Sequence, residues 1–467
     1  MALICDDPMP AGWLVSRLQR ARIWLHTRIG IDKPIAFTIM ARVWASVAGL
    51  ITLILIARFL TPAEQGYYYT FGSLVALQIV FELGFSFVIL QMASHERAHL
   101  TISADEEIEG DPVAHARLAS VLQKAVRWYT SAAVLLAIFL ILAGSHFFAA
   151  HRQPGPPVHW RLPWYATAIA AAITFQIDPV LSFMEGCGYV ANVARVRFTQ
   201  AAFGNLLAWG ALVSHQGLFT PAMMIAGNVC MASFWLFRRR KLLLGLLRYK
   251  VGHYGIHWGT EVWHFQWRIA VSWLCGYFIF QLYNPVLFAY KGAVIAGQMG
   301  MSLTLCAALQ SISISWINTK APRFGAFIAR REYADLDNLF FRAVKQSFSV
   351  CTAGALVAWC VDLYLNWAHF RLAHRILDPL PLGILLLNTM LNNLINAEAL
   401  YLRAHKQEKF LLNSVLGALL VGCSTYFLGK TYGPIGIATG SLMVAIFMGL
   451  PLGTYTFIKY RRLWHAQ

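Results

Sequence analysis

ARVWASVAGLITLILIARFLTPAEQGYYYTFGSLVALQIVFELGFSFVIL, residues 41–90, contains two apolar runs joined by a short polar turn. The runs, 35–57 and 68–91, each approach the ~20 residues a helix needs to cross ~30 Å of hydrocarbon. Backbone donors and acceptors cannot stay unpaired in lipid, so runs of this length read as a membrane-spanning helical hairpin. Each helix carries one charge that a lipid-facing position would not tolerate, Arg42 in the first and Glu82 in the second. At ~1.5 Å rise per residue both sit roughly 12–15 Å from the same membrane face, close enough in depth to pair.

The rest of the chain repeats the theme. It has 467 residues, 58% hydrophobic and 13% charged, with a mean hydropathy of +0.55, outside the range of soluble domains. Hydropathy gives twelve spans: 35–57, 68–91, 126–148, 163–185, 195–214, 218–237, 268–288, 292–316, 346–367, 381–402, 410–429 and 433–458. The net charge of +17 would suit a nucleic-acid partner in a soluble protein, but here its distribution explains it better. Of 38 Lys and Arg, 30 fall on the side holding both termini and seven on the other, Arg42 completing the set. The positive-inside rule makes that basic side cytoplasmic. Losing or adding one span would scramble the asymmetry. Eight cysteines, mostly inside apolar runs and without CxxC spacing, read as packing residues. In residues 1–34, Arg17, Arg20, Arg22 and Arg28 interleave with Trp13, Leu14, Leu18 and Trp24, the pattern of a helix lying on the cytoplasmic surface.

A basic linker, 238–267, separates a six-helix lobe at 35–237 from a second at 268–458, followed by a tail at 459–467. Setting Arg42 over Arg268 brings Gln65-Gly66 close to Gly297-Gln298 and Glu82 beside Gln310, as expected of a repeat about an axis along the membrane normal. The loops opposite the basic side are short, leaving no room for an outer-face glycosyltransferase. The acidic stretch Asp105, Glu106, Glu107, Glu109 and Asp111 reads as a solvated loop.

Arg42 and Arg268 form one candidate site, a cationic patch for a diphosphate held by forked donors. The competing reading pairs Arg42 with Glu82 or lets both arginines snorkel to the interface. Asn388, Asn392 and Asn396 recur at i, i+4, i+8 in the tenth span and, with Gln310, either line a cavity suited to sugar hydroxyls or hydrogen-bond between helices. Asp178, before Pro179 in the fourth span, either answers Arg42 or, with Glu82, holds a coupling cation. His95-Glu96-Arg97-Ala98-His99 matches HExxH, which on a helix would hold zinc with Glu96 as general base of a membrane protease.

The hairpin also resembles the signature of polysaccharide-unit flippases in the multidrug, oligosaccharidyl-lipid and polysaccharide exporter superfamily. The matching residues are Ala57-Arg58-Phe59-Leu60, the T/G-P-x-E-x-G-x-Y stretch beginning at Thr61, and Glu82-Leu83-Gly84. The resemblance implies an all-α membrane protein with two six-helix lobes around a central cavity. It implies movement of a polyprenyl-diphosphate-linked oligosaccharide from the cytoplasmic to the outer leaflet of a bacterial inner membrane, without bond cleavage or cofactor, alongside other membrane proteins of polysaccharide assembly. Arginines in the cavity are typical of such flippases. A cation-coupled multidrug exporter of the same superfamily is the alternative, with Glu82 and Asp178 as its acidic site.

Overall fold

The structure is a computed structural model that describes residues 33–103, 106–151, 156–259, 263–405 and 409–465. The surface helix expected before residue 33 lies outside them, as do the side chains of Arg42 and Arg268. The described chain is almost entirely helical. Nine of its helices are long and apolar enough to cross a membrane, ten if a bent pair counts as one span. Two further rods complete twelve spans in two six-helix lobes: α1 (Lys33–Phe59), with a shorter apolar stretch at Val47–Phe59, and the more polar α7 (Val190–Val213).

The hairpin that opens the chain turns sharply because Thr61 and Glu64 cap α2 (Pro62–Val75) reciprocally. The Thr61 hydroxyl accepts from the Glu64 N–H at 3.2 Å, and the Glu64 carboxylate accepts from the Thr61 N–H at 2.8 Å. The second span is not the single rod its hydropathy predicts. After α2, one 3₁₀ turn and α3 (Ile79–Glu82), it breaks and resumes as α4 (Phe85–Arg97), bent by 46°. Leu83 and Gly84 both adopt left-handed backbone there, φ 49° and 72°. Gly84 takes that conformation without steric cost, but Leu83 does not.

The stretch between the second and third spans also departs from a solvated loop. Strands β1 (Leu100–Ile102) and β2 (Ile108–Gly110) pair antiparallel, Leu100 opposite Gly110. Asp111 then caps α5 (Pro112–Ala150) by accepting from Val113 and Ala114. Glu106 receives Arg239 at 2.9 Å and the Leu242 N–H at 3.2 Å, so this acidic residue holds the linker helix α9 (Arg240–Arg248). The linker lies along α5 beyond it, with Gln123 donating to the Leu246 and Tyr249 carbonyls at 3.0 and 2.8 Å.

The first lobe closes with α6 (Arg161–Gly186), α7 and α8 (Thr220–Arg238), α6 continuing through Pro179. The second contains α10 (Trp263–Phe280), α11 (Tyr283–Lys291), α12 (Ala293–Asn318), α13 (Ala321–Arg330), α14 (Tyr333–Trp367), α15 (Pro379–Ala404), α16 (Leu411–Tyr432), α17 (Pro434–Val444) and α18 (Leu450–His465). A five-residue π-turn, Ala445–Gly449, joins α17 to α18. One apolar core runs through both lobes, and a second, around Phe324, Phe340, Tyr401 and Phe457, fills the basic end of the second lobe.

Candidate substrate cavity

The lobes meet where α2 and α12 begin, at the face opposite the basic one. A Cβ on Gly66 would lie 1.9 Å from the Ala293 carbonyl oxygen, and one on Gly297 would lie 2.9 Å from the Gly66 nitrogen. The helices approach this closely only because both positions lack side chains, the means by which membrane helices gain contact without a hydrophobic driving force. The repeat expected from the sequence brings these two positions close without setting them in exact register. Gln65, 1% exposed, ties the junction together. Its amide donates to the carbonyls of Gly297 and Arg375, each at 2.9 Å, and its oxygen accepts from Arg375 at 3.3 Å. Arg375 also donates to the Leu60 carbonyl at 2.6 Å. Burial pulls its pKa below the usual guanidinium value and Glu64 opposes that, so it stays cationic. Tyr67 and Phe288 pack edge to face behind the junction, centroids 4.9 Å apart.

Below this seal the lobes enclose two chambers, of about 830 and 930 Å³. Tyr68, Tyr69, Met224 and Thr304 line both, so one central cavity has two lobed ends. The first chamber reaches the basic face beside Glu185 and Arg197, and the second beside Arg403 and Phe410. The chambers differ in charge. Among described residues, the first is lined by Glu82, Asp178 and Glu185 with Arg197 as its cation, Arg197 pairing with Glu185 at 3.3 Å. The second has Arg403 as its charged side chain and a wall of amides.

The structure gathers the predicted amides. Asn388, Asn392, Asn396 and Gln310 all line the second chamber. They also bond to protein: Asn392 donates to the Asn388 side chain at 3.1 Å, and Asn388 to Ser441 at 3.3 Å. Asn388 thus bonds between helices as well as lining the chamber, and Asn393, on the neighbouring stripe, links Ser347 and Gln310 of two further helices. The Gln310 carbonyl oxygen has no partner among the described residues. Glu82 and Asp178 share the first chamber, whereas Glu82 and Gln310, aligned by the repeat, occupy different ones. Whether Arg42 reaches Glu82 falls outside the described side chains.

His95 and His99 lie close, ring centroids 6.2 Å apart, but no group of three potential metal ligands forms among the described residues. Helix α4 ends at Arg97, so His99 does not follow His95 on a regular helical turn. Glu96, 5% exposed, turns inward and receives Arg117 at 2.8 Å, while the His95 side chain is 79% exposed. Glu96 is engaged by Arg117 and so fastens α4 to α5.

Arg197, Arg403, Glu185 and Asn413 are cavity residues that sequence reading missed. Both arginines sit where hydropathy begins or ends a span, so they read as loop charges. Their helices extend past those limits, α7 starting at Val190 and α15 ending at Ala404.

No family model matches this chain, and no curated protein matches it. Solved structures do resemble it. An inward-facing multidrug resistance MATE family transporter of the MOP superfamily superposes with a TM-score of 0.59 at 13% identity, covering 89% of this chain and 99% of that one. The lipid II flippase MurJ, in an inward closed conformation, gives 0.54 at 12% identity over 92% and 90%. The MATE multidrug transporter DinF-BH gives 0.55 at 13% over 92% and 96%. At such identities the likeness carries the architecture alone, two six-helix lobes around a central cavity.

Proposed function

We propose that this chain is an alternating-access transporter that flips a polyprenyl-diphosphate-linked oligosaccharide from the cytoplasmic to the outer leaflet of a bacterial inner membrane. The observation that carries the reading is the second chamber. It is roomy, open to the basic face, walled by amides and supplied with a guanidinium. A sugar and a diphosphate cannot cross hydrocarbon bare; amides and fixed cations replace their hydration while the polyprenyl tail stays in lipid. Arg42 precedes Ala45 and Gly49 of the first chamber by three and seven residues; Arg268 precedes Ser272 and Cys275 of the second by four and seven. On that helical spacing we assign both to the diphosphate as it enters from the basic face. Glu82 and Asp178, in the acidic chamber, are assigned the coupling cation.

That acidic chamber also favours a second reading, a cation-coupled exporter of organic cations. Translocation in proteoliposomes separates the two. We expect a labelled polyprenyl-diphosphate oligosaccharide to change leaflet, with the rate reduced at least ~10-fold in Arg268→Ala and in Asn392→Leu, about the loss of one charge-assisted contact. A lipid that stays in its leaflet under every ion gradient, while a fluorescent organic cation is exported, would replace the flippase reading with the second.

A further inference from the structure

Asp362 lies in α14, only 2% exposed, and neither the cavity nor the seal uses it. One carboxylate oxygen accepts from the Asn366 amide at 3.2 Å; the other has no partner among the described residues. Protonation alone does not satisfy that oxygen, because a buried hydroxyl needs an acceptor as much as a buried oxyanion needs a donor. Trp359, three residues earlier on the same helix face, donates its indole N–H to the Pro379 carbonyl at 3.0 Å. Asp362 is thereby set beside the first turn of α15, where Asp378 occupies the N-cap position. Asp is a favoured capping residue, yet this one makes no capping hydrogen bond, so its carboxylate is not committed to the helix end. Pro379 directly follows Asp378, so the Trp359 bond brings both carboxylates to the same end of the α14–α15 pair.

We propose that Asp362 and Asp378, with water completing the shell, form a binding site for a hard divalent cation at the face opposite the basic one. The donors are all oxygen, the set that suits Ca²⁺ or Mg²⁺, and two carboxylates balance one divalent charge. The site brackets the turn between α14 and α15. That turn carries Arg375, which closes the seal against Gln65 and Leu60. Occupancy braces the turn and favours the closed seal, so the cation acts on the transporter from the side where substrate leaves.

The test uses the full-length protein in detergent, titrated with Tb³⁺ and then with competing Ca²⁺, reading luminescence sensitised by Trp359 and its neighbours. We expect saturable one-to-one binding displaced by Ca²⁺, weakened at least ~10-fold in Asp362→Asn and in Asp378→Asn. Ca²⁺ should also raise the melting temperature of the wild type and leave both variants unmoved. Asp378 is at the surface, so its variant tests the site without disturbing the core. No saturable signal, or an equal one in either variant, would overturn the proposal and leave Asp362 a carboxyl solvated by water.

Discussion

A buried glutamine is the residue on which the closed state turns. Gln65 places its whole amide across the lobe boundary, and Leu, of similar size, would leave the Gly297 and Arg375 carbonyls without that donor. Unmaking such bonds in a buried site costs about 1–3 kcal/mol. Gln65→Leu should therefore loosen the seal without unfolding the lobes. A cysteine placed at Thr304, on the wall both chambers share, should react severalfold faster with an impermeant thiol reagent applied from the opposite face. An unchanged rate would show that the glycine contacts alone hold the junction.

A different residue governs the basic end. His405, just past α15, stacks on Trp464 with centroids 3.9 Å apart. Burial holds its pKa below the ordinary 6.5 and His465 works the same way, while the Tyr401 carbonyl and Asp337 oppose them. The folded protein thus takes up this proton at lower pH than the unfolded chain does. The contribution to stability is complete above about pH 6.5 and is lost as pH falls below it. His405→Phe keeps the stack, and its melting temperature should depend less on pH between 7 and 5 than that of the wild type. Identical slopes would assign the dependence to another group.

The elements show how far a hydropathy profile reaches. Twelve spans, the basic linker and the amide face are visible because each is a periodic or compositional signal. The break in the second span is not, since Glu82-Leu83-Gly84 sits in an apolar run without proline. Only the tertiary partner explains it: Gln266, at the start of α10, donates to the Leu83 carbonyl at 3.3 Å, helping to satisfy a backbone group at the break. Gly84→Ala should cost about 1–2 kcal/mol, the penalty for an L-residue in left-handed backbone, seen as a lower melting temperature. The acidic stretch misled for a related reason, because charge runs carry no information about distant partners. Glu106 is 10% exposed at its side chain and Arg239 29%, so Glu106→Gln should release α9 at a modest cost of about 1 kcal/mol. Amide exchange confined to the linker would report that release, and unchanged exchange would contradict it.

At the scale of the molecule, the halves are pressed together at one face and hollow toward the other, with Gln266 bridging them at Leu83. Weak internal similarity brought Gly66 and Gly297 near one another in the alignment but did not foretell that the two helices touch there. It could not show the unequal charge of the chambers, which depends on how helix ends from α6, α7 and α15 converge. Transport of a large polar headgroup from this arrangement requires α2 to part from α11 and α12. Ser73 on α2 and Asn284 on α11, both buried, touch across that boundary, the Asn284 amide donating to the Ser73 hydroxyl at 3.2 Å. The most direct measurement replaces both with cysteine, in a background without the exposed Cys230, Cys360 and Cys423, and cross-links them before assaying leaflet exchange of a labelled polyprenyl-diphosphate oligosaccharide. Flipping should stop on cross-linking and return on reduction. Full-rate flipping by the cross-linked protein would contradict alternating access.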